Sequence, residues 1–186
     1  MKKFGVSIIF LVVFALLYLL QVGVFSHFPI AGVVPNLFII LILYIGLYAN
    51  SINAIGFGII IGMFLDLLYG NTVGVSAVMF CIIGYISSYF DKNFSKENKV
   101  TILLMEIGAT IIYEFGFYSL NGLILNYNFE WLKFMKIVIF EVVYNSLITI
   151  LLYPFIQNTG YKVDRIFKKN NILTRYFWDF FKEYLI

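Results

Sequence analysis

Four carboxylates stand inside long apolar stretches of the chain: Asp66, Glu106, Glu114 and Glu141. An acid in such a setting is costly and ordinarily faces a protein interior or an aqueous cavity, so each marks a place where polar chemistry could occur. Paired carboxylates can act as general acid and base, for example in cleaving glycosidic bonds. The other parts of a catalytic site do not accompany them. The sequence has no nucleophile-elbow motif and no phosphate-binding loop. Its one histidine, His27, sits beside Phe28 and Pro29 in a short connection and reads as an interfacial polar residue. The one cysteine, Cys81, lies in an apolar run and reads as a small packing residue; together they are too few for a disulfide or a zinc site. The expectation is a protein that is not an enzyme and holds no cofactor.

The small residues form the more specific pattern. Ala54, Gly58, Gly62, Asp66 and Gly70 recur every fourth residue, and Gly74 continues the series. On a helix that interval makes one slowly drifting ridge without bulky side chains, along which a second backbone can approach closely. Packing within the chain is the first reading, and a face kept for another protein's helix is the second. Gly74, Ala77, Cys81, Gly84 and Ser88 offer a mate on the following segment, across a turn short enough to make the two helices antiparallel neighbours.

The elements that position these residues follow from composition. Hydrophobic residues make up 62% of the 186 and charged residues only 12%, against about 25% charged in a soluble domain. The solvent for such a chain is the bilayer. The net charge of +3 is small and scattered, which argues against nucleic acid as a partner. A helix needs about 20 mainly apolar residues to cross the hydrocarbon core. Six stretches are candidates, near residues 4–25, 35–48, 53–69, 73–90, 100–124 and 134–156, the second of them short, giving an all-α integral membrane protein with six transmembrane helices. The first is too long for a signal peptide and lacks a small-residue cleavage site. Pro35 suits the first turn of the second helix, and residues 49–53 form the turn that follows it.

Charge sets the orientation. With six spans, one side receives eleven of the thirteen Lys and Arg residues, and the other receives only Lys133 and Lys136. Both termini are therefore expected in the cytoplasm. A helix rise of 1.5 Å per residue places Asp66 about 20 Å, Glu114 about 22 Å and Glu106 about 10 Å from the inner edge, and Glu141 about 7 Å from the outer edge. Asp66, Glu114 and Glu141 thus share the outer half of the bilayer. With no Lys or Arg deep enough to pair all three, repulsion and desolvation favour keeping at least one protonated. They could form one polar pocket, or be satisfied separately by neighbours such as Tyr113, Asn121, Tyr144 and Asn145.

Residues 1–160 therefore read as the transmembrane domain and 161–186 as a cytoplasmic tail. In the tail, Leu173, Tyr176, Phe177, Phe180 and Tyr184 share one helical face, opposite Arg175, Asp179, Lys182 and Glu183. Asn170 or Asn171 could cap such a helix, and the inner leaflet or a partner could take its apolar face.

The run Val34-Pro35-Asn36-Leu37, followed by the Gly58, Gly62, Asp66, Gly70, Gly74 ladder, resembles the rod shape-determining protein MreD family, and the resemblance covers most of the chain through the sixth helix. Family members tend to carry Pro-Asp where this chain has Pro35-Asn36. The resemblance implies a non-enzymatic scaffold subunit of the bacterial cell-elongation machinery in the cytoplasmic membrane. Its partner would be MreC and, through it, the MreB filament, RodA and the elongation-specific penicillin-binding protein, so that it helps organise lateral peptidoglycan synthesis. The chain is also similar to the substrate-binding subunits of energy-coupling vitamin transporters, small six-helix proteins with Gly-rich helices. That likeness implies instead a small-molecule pocket at the outer acids.

Overall fold

Backbone polar groups in lipid must be satisfied within the protein, which favours helices in a chain this apolar. The computed structural model describes the backbone of residues 2–69, 72–93, 98–126 and 130–184, and the side chains of residues 4–69, 72–90, 98–126 and 130–167. Its elements are α1 (Lys2–Gly23), a 3₁₀ turn (Phe25–His27), α2 (Leu37–Tyr48), α3 (Ser51–Tyr69), α4 (Val75–Asn93), α5 (Lys99–Leu125) and α6 (Trp131–Tyr184). Four of them carry segments long and apolar enough to cross a membrane, whereas Leu37–Tyr48 and Val75–Phe90 are shorter.

The shortest α-helix, α2, is the centre of the bundle. Its sequence is apolar all round, which suits a helix buried on every side. Every residue of α2 except Tyr44 is buried, and α1, α3, α4, α5 and α6 all pack on it. At about 18 Å it is too short to span the hydrocarbon core alone. Its protein surroundings remove the need to face lipid. The helix starts at Leu37, so Pro35 lies before the first turn rather than within it. The Asn36 N–H donates to Asn145 Oδ1 at 2.8 Å, and the Leu37 N–H to Gln21 Oε1 at 3.3 Å. At the other end the turn is shorter than expected, because Asn50 Oδ1 accepts from the Asn53 N–H at 2.8 Å and α3 begins at Ser51.

Residues 28–36 leave helical geometry and form a tight hairpin. Ile30 and Val33 exchange two backbone hydrogen bonds of 2.9 Å around Ala31 (φ 52°) and Gly32 (φ 83°). Two consecutive positive φ values are what a type I′ turn requires. The segment is tied down by Tyr144, whose hydroxyl donates to the Phe28 carbonyl at 3.1 Å, and by Gln21, whose Nε2 donates to the Pro35 carbonyl at 2.5 Å.

The tightest helix pair is α3 with α4. A Cβ on Gly58 would stand 2.8 Å from the Phe80 carbonyl carbon, one on Gly62 would overlap the Ala77 backbone, and one on Gly84 would stand 2.9 Å from the Ala54 carbonyl. The descending order of these pairs makes the helices antiparallel. By contrast α1 is peripheral: among its described side chains only Val6, Phe10 and Phe14 are buried, one stripe at fourth-residue spacing.

The sixth helix differs most from expectation. In place of an end near residue 156 and a new start at Asn170 or Asn171, α6 continues unbroken from Trp131 to Tyr184 with Pro154 inside it. Proline removes one i→i−4 hydrogen bond but does not end a helix whose neighbours hold it in place. The tail side chains Leu173, Tyr176, Phe177, Phe180 and Tyr184 lie outside the described residues.

Candidate functional site at the hairpin end of the bundle

Polar groups concentrate at the end of the bundle that carries the 28–36 hairpin. Asp66, one turn before the end of α3, is buried, and its carboxylate reaches across the connection to the first turn of α4. Oδ2 accepts from the Gly74 N–H at 2.8 Å and the Ser76 N–H at 3.1 Å. These belong to the orphan donors of a helix N-terminus, so Asp66 is a capping acid supplied from another helix. Gly74 has φ 101°, a conformation that favours glycine, and it turns the chain so that its N–H points back at Asp66. The connection is also fastened to α5: the Thr72 hydroxyl donates to Asn121 Oδ1, and the Tyr113 hydroxyl donates to Ser76 Oγ at 3.3 Å.

A second set of polar groups joins α5, α6 and the start of α2. Glu106 is fully buried, with Oε1 accepting from the Thr110 hydroxyl at 2.7 Å and Oε2 from the Ser146 hydroxyl at 2.9 Å. Asn145 Nδ2 donates to Thr110 Oγ1 at 3.1 Å, and Asn145 Oδ1 takes the Asn36 N–H. One turn along α6, the Glu141 carboxyl meets Glu114 and Asn145. The chain of contacts from Glu106 to Asn36 thus fixes how α2 enters the bundle.

Between the two sets lies a cavity of about 550 Å³. Asp66, Thr72, Ser76, Tyr113, Gln21, Asn36 and Glu141 are among its polar lining residues, and Val22, Val34, Phe38, Leu65 and Phe117 supply apolar surface. Two acceptors of these residues, Asn36 Oδ1 and Glu141 Oε1, are fully buried and make no hydrogen bond.

A family model for the rod shape-determining protein MreD matches residues 1–159. The chain belongs to the MreD family. No curated protein and no solved structure matches it significantly. MreD is a family of membrane proteins that determine rod shape, not a known enzyme family. In this member Ala54, Gly58 and Gly62 face α4, Asp66 caps α4, Gly74 forms the turn into it, and Gly70 lies outside the described residues. Asp66, Glu114 and Glu141 all lie within electrostatic reach of the Tyr113 hydroxyl. Asp66 and Glu141 line the cavity, while Glu114 approaches through Glu141. Depth counting set Glu106 apart from these acids, yet Asn145 connects it to Glu141. The fourth-residue pairs Glu106–Thr110 and Glu141–Asn145 were the available signal, since such pairs share a helix face. Asn36 and Gln21 carried no comparable signal.

Proposed function

We propose that this chain is a six-span scaffold subunit of the elongation machinery, with residues 161–186 and the N-terminus in the cytoplasm, that holds MreC and through it biases peptidoglycan synthesis toward the lateral wall. The observation that carries the reading is the MreD match over residues 1–159, on a chain whose long helices are apolar. The charge distribution supports the orientation. The packing supports a scaffold role: the small-residue ridge of α3 is taken up by α4, and the interior is tied by hydrogen bonds between α2, α5 and α6. A rigid body of this kind presents its exposed apolar side chains on α1, α5 and α6 to lipid and to partner helices. Depletion of the protein in its host tests the proposal. MreC should lose its distribution along the cell cylinder as the cells round up. Retention of the MreC distribution in rounded cells would overturn the scaffold reading.

A further inference from the structure

We propose that the cleft between α1 and α6 holds one acyl chain of an anionic phospholipid from the cytoplasmic leaflet, with its headgroup at Lys162. The inference goes beyond the scaffold role and takes from it only that the Lys162 end of α6 faces the cytoplasm. The cleft has a volume of about 350 Å³ and is lined by residues of α1, α2 and α6. Its α2 residues Leu37, Ile40 and Leu41 are buried, whereas Ile9 on α1 and Phe155 on α6 are exposed, so it opens sideways between those two helices. Among its described lining residues only Tyr44, Thr159 and Lys162 are polar. The Tyr44 hydroxyl donates to Thr159 Oγ1 at 3.3 Å, and the Thr159 hydroxyl donates to the Phe155 carbonyl at 2.6 Å. A polar small molecule therefore finds nothing to bind there except Lys162.

From Val6 to Leu17 on α1 the cleft runs about 16 Å, close to half of a hydrocarbon core about 30 Å thick. That is the depth an acyl chain covers within one leaflet. A volume of about 350 Å³ spread over this length is narrow for a helix, about 10–12 Å across with its side chains, and suits an alkyl chain. The headgroup follows from charge. Lys162 lies six residues past Ile156, about 9 Å beyond the apolar stretch of α6 and level with the headgroup layer. It is exposed and makes no ion pair among the described residues. Arg165 is exposed on the next turn, and α1 opens with Lys2 and Lys3 one turn before Val6. Asp164 lies about 200° around the helix from Lys162, toward Tyr48. Juxtamembrane Lys and Arg attract the anionic lipids of the cytoplasmic leaflet. The aliphatic stem of a lysine can also lie along an apolar cleft while its ammonium reaches the phosphate.

Full-length protein in nanodiscs of mixed phosphatidylglycerol and phosphatidylcholine, released and read by native mass spectrometry, tests the proposal. Nanodiscs have no inner side and hold no MreC, so a failure here leaves the orientation and the scaffold reading untouched. One phosphatidylglycerol per chain should be retained, favoured over phosphatidylcholine by about five-fold or more. Lys162→Gln should remove about five-fold of that preference, whereas Lys136→Gln, near the opposite end of α6, should leave it unchanged. Val163→Trp fills the cleft and should release the lipid; Leu151→Trp, on an exposed face of the same helix outside the cleft, should not. If Val163→Trp does not fold, Lys162→Gln decides, because that side chain is exposed. Equal retention of the two lipids, an unchanged preference in Lys162→Gln, an equal loss in Lys136→Gln, or retention by folded Val163→Trp would overturn the proposal.

Discussion

The Asp66 carboxylate on α3 closes the first turn of α4, with Oδ2 2.8 Å from the backbone nitrogen of Gly74. It also reaches the Ser76 N–H, so a single buried acid satisfies two donors that would otherwise face a poorly solvated interior. Losing a helix cap costs about 0.5–2 kcal/mol, and burial places this one toward the upper end. Asp66→Ala should therefore lower thermal stability measurably. Asp66→Asn keeps one acceptor oxygen and should cost less, about 1 kcal/mol. A thermal unfolding series in detergent checks the order wild type, Asn, Ala; equal stability of all three would show that the cap is unimportant.

The α3–α4 contact makes a sharper claim, at the scale of one methyl group. Gly62→Ala places a Cβ onto the Ala77 backbone, and overpacking of this kind costs about 1–3 kcal/mol. Gly56 lies on the same helix with open space around it, so Gly56→Ala should be neutral or slightly stabilising, by up to about 1 kcal/mol. Accumulation and melting of the two variants in membranes separate the contact from general helix propensity. Equal behaviour would mean that α3 and α4 are not in backbone contact.

The chain from Glu106 to Asn36 should act as a unit. Asn145→Ala removes the acceptor for the Asn36 N–H and the donor to Thr110, and an unmade buried hydrogen bond costs about 1–3 kcal/mol. Combined with Thr110→Val it should cost less than the two single changes together, because they break a shared contact; a double-mutant cycle should return about 0.5–3 kcal/mol of coupling. Strict additivity would show that the contacts are independent.

What was legible in the sequence was legible for a physical reason. A fourth-residue repeat of small residues has few explanations besides close helix packing, so Gly58 and Gly62 pointed to a neighbouring backbone before any neighbour was known. The capping role of Asp66 was not visible, because it depends on how a turn folds Gly74 back across eight residues. The central place of α2 was equally hidden. Residues 37–48 are apolar without periodicity, a pattern shared by short lipid-facing and fully buried helices. Counting depth along separate helices set Glu106 apart, since depth says nothing of which faces turn toward one another. The unbroken course of α6 was masked by Pro154 and Asn170, residues that commonly end helices but do not have to.

Orientation supplies a further prediction. Reporter fusions after Lys99 and at the C-terminus should report cytoplasm, and one at Asn128 should report the outside, from the eleven-to-two division of Lys and Arg. A cytoplasmic reporter at Asn128 would contradict six spans with this orientation.

The most direct measurement of the scaffold proposal is reciprocal co-purification from native membranes. Affinity-tagged wild-type protein should recover MreC in a fixed ratio, and tagged MreC should recover this chain. Gly62→Ala, if its fold is loosened as expected, should lower the yield of the complex in step with its stability. Recovery of well-folded protein without MreC, in both directions and in mild detergent, would contradict the account.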